Sequence, residues 1–228
     1  MRPLIRVAVV AFDGIRPFHL AVPCAVFGES AGAQPLFDLR VCAIEPGPLR
    51  TQAGFTIVAA HGLRELERAQ IVVVPSWRDA HEVPPAPLLA ALQRAHRRGA
   101  IVVGLCLGAF ALAAAGLLDG RPATTHWRWS GLFAQRYPAV QVDPGVLYVD
   151  AGDVLTSAGT AAGIDCCLHL VRRQCGAEAA NRIARTLVVP PHRQGSQAQF
   201  IEQPVPRTDR SNPLATALEW AGGHLDEA

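Results

Sequence analysis

Three short stretches of this chain are apolar, rich in β-branched residues and almost free of charge. They are Ile5-Arg-Val-Ala-Val-Val-Ala-Phe12, Ile71-Val-Val-Val-Pro75 and Ala100-Ile-Val-Val-Gly-Leu105. Such runs suit strands buried on both faces. Helix-length segments follow them: residues 18–29, with Phe18, Val22, Val26 and Phe27 as an apolar stripe, then 87–98 and 107–118. Strand and helix in alternation specify βαβ units and a parallel sheet covered on both sides, an α/β three-layer sandwich. A further strand is expected over 37–45, a small hairpin over 49–60 turning at Ala53-Gly54, and a short helix over 63–69. Beyond the middle of the chain, helices are expected over 129–137, 158–175 and 177–187, and a hairpin over 146–157. Half of the 228 residues are hydrophobic, enough for one domain with a full core.

Within that frame Cys106 stands apart. It falls where the strand 100–105 gives way to a helix, in Gly104-Leu-Cys-Leu-Gly108. A cysteine is most often packed as a small hydrophobe. Glycines on either side of a strand-to-helix turn instead match a nucleophile elbow, which projects one side chain from the top of a sheet. The helix dipole is expected to favour a thiolate there and lower its pKa. Asp13, Asp79 and Asp165 stand by loops or helix starts and read as caps.

Charge excludes little else. The net charge is +2, too mild to direct the chain to nucleic acid or membrane, and every cationic side chain is arginine. The six cysteines show no CxxC spacing, and His81, His96 and His192 have no metal-ligand spacing, so neither a disulfide framework nor a metal or other cofactor is expected. No apolar run approaches the ~18 residues of a membrane helix. The first strand starts too early to leave room for a signal peptide, so a reducing, cytoplasmic setting is expected.

Several stretches, taken in order, carry a resemblance: Glu45-Pro-Gly-Pro-Leu-Arg50, Val73-Val-Pro-Ser-Trp-Arg78, Ala123-Thr-Thr-His-Trp-Arg128, Thr156-Ser-Ala-Gly159 with Gly163-Ile-Asp165, and Val188-Val-Pro-Pro-His-Arg193 followed by Gln197-Ala-Gln-Phe200. With Cys106 they resemble the class I glutamine-amidotransferase-like (PfpI-like) superfamily. More narrowly, they resemble the N-terminal effector domain of AraC-family transcription regulators of the FtrA type. The resemblance implies a flavodoxin-like fold with the cysteine nucleophile elbow, residues 1–189 as the effector-binding domain and 190–211 as an extension or linker. Residues 212–228 would begin a C-terminal helix-turn-helix domain, broken off within its first helix at 214–227. DNA would be bound only through that missing domain. A homodimer is implied as well.

Enzymatic relatives pair the cysteine with a carboxylate and often a histidine. Here His19 stands where Asp or Glu is usual, Leu107 where the protease-like branch has histidine, and Ser76 where a glycine usually shapes the oxyanion pocket. His126 remains as a partner for Cys106, in a pocket role or as a packed histidine donating to a backbone carbonyl. His19 either pairs with Cys106 as imidazolium and thiolate or lies half-exposed on its helix. The ligand pocket is expected to comprise His19, Ser76, Trp77, Cys106, Leu107, His126, Trp127 and Gly159, with Cys106 and His126 as candidate catalytic residues. Its effector would be a small molecule such as a nitrogenous metabolite, with Trp77 or Trp127 offering a face to a quaternary amine. Three functions compete: a non-enzymatic sensor, a cysteine enzyme (a hydratase or amidase-like hydrolase), and a redox-sensing thiol.

Overall fold

The computed structural model describes residues 3–30, 34–193, 196–197, 220 and 224. Strand β1 (Ile5–Ala11) leads into helix α1 (Pro17–Gly28), then β2 (Phe37–Ala43). The expected hairpin is β3 (Leu49–Arg50) paired antiparallel with β4 (Thr56–Ile57), followed by β5 (His61–Gly62) and a 3-10 turn at Leu63–Arg68. Next come β6 (Ile71–Val74), α2 (Ala86–Arg97), β7 (Ile101–Leu105) and α3 (Gly108–Ala114). The short strands β8 (Pro122–Ala123) and β9 (Gln141–Val142) flank α4 (Ser130–Arg136). The hairpin β10 (Tyr148–Asp150) and β11 (Val154–Ser157) precedes α5 (Ala161–Cys175) and α6 (Ala177–Thr186).

The main sheet runs β10-β11-β7-β6-β1-β2-β5. Its pairs are parallel except β10 with β11, so the sheet is mixed where the sequence pointed to a parallel one. The reason is local: Asp150 to Asp153 turns the chain straight back, with Gly152 at a φ of +89° and its N–H bound by the Asp150 carboxylate. A two-residue turn of this kind can only join antiparallel strands. Helix α1 packs on α5, which carries α6, while α2 packs on α3, giving two helical groups that flank the sheet. Val7 to Ala11, Ile71 to Val74 and Val102 to Leu105 are buried, as uncharged runs covered on both faces must be.

Two helices depart from expectation. The one after Cys106 ends at Ala114, well short of residue 118, because Gly116 takes a φ of +71° and reverses the chain. In α1 the stripe is rotated: Val22, Val26 and Phe27 are buried, but Phe18 is 52% exposed and His19 faces inward instead. Apolar residues lie nearly all round this helix, so spacing alone could not choose its inner face. Of the domain expected at 212–228, only Trp220 and His224 fall within the described residues, and the helix expected at 214–227 otherwise lies outside them.

Strand order fixes where a site can form. From β1 the chain moves to β2 on one side, then to β6 and β7 on the other. Loops leaving the carboxyl ends of β1 and β6 therefore diverge and leave a crevice, the usual ligand position in open α/β sheets.

Candidate functional site

Strand β7 ends at Leu105 and α3 begins at Gly108, so Cys106 and Leu107 form the whole connection. Cys106 sits at a φ of +52°, a left-handed conformation that costs a non-glycine residue about 1–3 kcal/mol. Its surroundings hold it there. The Cys106 N–H donates to the Ser157 carbonyl at 2.9 Å, and the Thr125 hydroxyl donates to the Cys106 carbonyl at 2.8 Å. Two glycines permit the approach of neighbouring backbone. A Cβ on Gly108 would lie 2.1 Å from the Val74 carbonyl oxygen, and one on Gly159 (φ +75°) would lie 2.1 Å from the Cys106 Cβ.

The thiol borders a cavity of about 360 Å³, yet Cys106 is only 6% exposed. Burial pushes its pKa up, outweighing the lowering by the Leu107 N–H, the Ser76 hydroxyl and the charge of Arg16. This reverses the expected thiolate. Helix α3 has only seven residues, and loss of solvent costs the anion more than that short dipole returns.

His19 is 7% exposed, and neither ring nitrogen has a hydrogen-bond partner among the described residues. Burial first, then the Arg16 and His126 charges, lower its pKa to about 4. It is therefore a neutral imidazole near pH 7, neither half-exposed nor the imidazolium of an ion pair with Cys106. The sulfur and the ring are both driven to their uncharged forms.

The loop after β6 supplies Ser76 and Trp77, both buried. The Ser76 hydroxyl donates to the Trp77 carbonyl at 3.3 Å. The Trp77 ring lies 4.9 Å from Phe12, and its indole N–H is without a partner among the described residues. From the loop after β8 come His126 and Trp127, both half-buried. His126 Nδ1 accepts the Arg128 backbone N–H at 3.3 Å, and of the two readings open for it the ring takes the place on the cavity wall. Burial, then the charges of Arg128 and Arg16, lower its pKa as well.

Thus His19, Ser76, Trp77, Cys106, Leu107, His126 and Trp127 border one cavity. Gly159 lies beneath it against Cys106 and borders a second cavity of about 470 Å³, which shares His126, Trp127 and Thr160 with the first. Sequence reasoning missed Arg16, Arg78 and Arg128 on the first cavity and gave Arg193 and Gln197 no role on the second. Gln197 is 2% exposed. Its amide donates to Thr124 Oγ1, the Thr125 carbonyl and the Val146 carbonyl, while its oxygen accepts the Trp127 N–H at 2.9 Å. Arg193 pairs with Asp165 at 2.6 Å, so Asp165 is an ion-pair partner within α5, and no cap. Asp13 likewise pairs with Arg50, while Asp79 accepts the His81 N–H as a local turn. Among the described residues all six cysteines are free and no cluster could hold a metal ion.

A cysteine at a left-handed turn between strand and helix, beneath a cavity at the carboxyl ends of a mixed sheet, defines a class of α/β proteins. The chain belongs to the DJ-1/PfpI family, whose description matches residues 5–173. It is 34% identical over 135 residues to an uncharacterized protein in the cpoL 5' region of Streptomyces lividans, covering 59% of this chain and 96% of that one. To the HTH-type transcriptional regulator CdhR of Pseudomonas aeruginosa it is 32% identical over 155 residues, 68% of this chain and 46% of the regulator. The curated HTH-type regulators it matches are covered over 26% to 47% of their length, so the chain spans less than half of each. The crystal structure of an AraC family transcriptional regulator from Pseudomonas putida superposes with a TM-score of 0.70 at 21% identity, over 80% of this chain and 99% of that one, a likeness of fold. No helix among the described residues is long and apolar enough to cross a membrane.

Proposed function

We propose that this chain is the small-molecule-sensing domain of an AraC-type transcription regulator, holding its effector above Cys106 without turning it over. The reading rests on one observation: the thiol lies buried beneath the cavity at the strand ends, and no hydrogen bond joins it to either histidine on the wall. A nucleophile needs its thiolate and a nearby base. Here burial raises the Cys106 pKa and lowers that of His19, and no hydrogen bond joins the sulfur to either histidine. A redox sensor needs an accessible, acidic thiol, and this one is neither. The homologues named as HTH-type transcriptional regulators support the sensing role. DNA recognition would belong to a separate helix-turn-helix part of the whole protein, and pairing of two copies would bring two such parts together.

The test is a metabolite panel read by thermal denaturation on the native chain and on Cys106→Ser. A ligand that raises Tm in both and is recovered chemically unchanged is expected. Product formation that Cys106→Ser abolishes would replace the sensor with a cysteine enzyme.

A further inference from the structure

Of the three guanidinium groups on the rim of the Cys106 cavity, two have no carboxylate partner among the described residues. Arg78 is engaged by Glu45 at 2.7 Å and Glu82 at 3.3 Å. Arg16 and Arg128 make no side-chain hydrogen bond or ion pair with any described residue, and Asp79 is the one carboxylate bordering the cavity among those residues. Arg78 is thus already met by two carboxylates, and the guanidinium groups of Arg16 and Arg128 are the cations left open to an incoming group. The histidines add none near pH 7, because burial keeps His19 neutral and lowers the pKa of His126. Arg16 is close enough for its charge to be felt at Cys106, His19 and His126, three separate groups around the floor.

The aromatic faces lead to the same sign. Arg78 lies 4.8 Å over the Trp77 ring and Arg128 lies 5.5 Å over the Trp127 ring. An incoming quaternary amine would meet rings already paired with cations and would be repelled by them. An anion instead finds guanidinium forks, which match a planar carboxylate. Beyond Trp127 the surroundings change. The adjoining cavity of about 470 Å³ is bordered by Leu147, Ala158, Ala161 and Ala162, and suits an apolar body.

We propose that the occupant is an organic monocarboxylate, its carboxylate held by Arg16 and Arg128 at the mouth of the Cys106 cavity and its apolar body running past Trp127 into the adjoining cavity. This rests on the sensing reading and narrows it to a ligand class. The apolar extension favours an organic anion over inorganic phosphate, which has nothing to place there.

Four probes separate the possibilities: hexanoate, hexylamine, hexanol and inorganic phosphate, each titrated into the native chain while the indole N–H resonances of Trp77 and Trp127 are followed by NMR. Hexanoate is expected to shift both indoles saturably and the other three to leave them in place. Arg16→Gln and Arg128→Gln should each weaken hexanoate about tenfold or more, the usual effect of losing a charge-assisted hydrogen bond. Arg97→Gln, on the exposed end of α2, should leave it unchanged. Equal shifts from hexylamine or hexanol, indifferent to the arginine variants, would overturn the carboxylate assignment while leaving a sensing cavity. Saturable shifts from phosphate would overturn it too. Silence from all four would overturn it as well, while the sensing reading stands or falls on the metabolite panel.

Discussion

The two cavities share a wall at His126, Trp127 and Thr160 but are made in different ways. The inner one is walled largely by chain leaving adjacent strands, Arg16 and His19 after β1, residues 76–80 after β6 and 106–107 after β7, and is closed by 126–129 after β8. The outer one depends on chain from far away. Gln197 bonds to Thr124 and Thr125 across more than 70 residues of sequence, and Arg193 reaches Asp165 across 28. One cavity is therefore a by-product of the sheet. The other exists only when a distant segment is bound in place, so the two should fail under different perturbations.

The largest effect is expected where the inner cavity is tightest. Gly159→Ala puts a methyl 2.1 Å from the Cys106 Cβ and 2.7 Å from its N at a left-handed φ, and should cost about 3–5 kcal/mol in urea denaturation. An unchanged midpoint would show that the elbow yields easily and that the contrast is misdrawn.

Acid should act on the inner cavity next. His19 titrates near 6.5 when unfolded and at about 4 when folded, so the unfolded state binds more protons between those values. Stability should hold above pH 6.5 and fall as pH drops toward 4, by up to about 3 kcal/mol. His19→Leu should flatten that part of the profile, and an unaltered slope would place the titration elsewhere.

Gln197→Ala strikes the outer cavity. It leaves two carbonyls and the Trp127 N–H without this partner, at a cost of about 2–3 kcal/mol. Hydrogen exchange at the Trp127 amide should accelerate while the β7 amides stay protected, and equal loss in both would make the two cavities one cooperative unit. The smallest effect belongs to the sulfur. Cys106→Ala should cost only about 1 kcal/mol, since it trims one buried atom and keeps the turn. Iodoacetamide should capture native Cys106 more slowly than an exposed thiol at pH 8, and faster capture would restore a thiolate there.

Sequence legibility divides along the same line. Strands β1, β6 and β7, and the turn at Cys106, were readable because uncharged β-branched runs and flanking glycines are local signals. The PfpI-like assignment followed from motifs in their order, and the match to the DJ-1/PfpI family bears it out. The direction of the Cys106 pKa was misjudged because dipole and burial oppose each other, and burial is not written in adjacent residues. His19 turned inward for a related reason: a helix apolar on most sides does not announce its inner face. Arg193 and Gln197 stood in a recognised motif, yet their partners lie at 165 and 124–127, separations that spacing rules do not reach. The arginine rim was hidden in the same way, since Arg16, Arg78 and Arg128 meet only after three strands align.

The Gln197 oxygen that accepts the Trp127 N–H has a consequence beyond stability. Any molecule that turns the 126–127 peptide to improve its own fit must break that bond, one of four held by the Gln197 side chain, and spends part of its binding energy doing so. By thermodynamic symmetry, whatever weakens the Gln197 contact must then ease that molecule's entry.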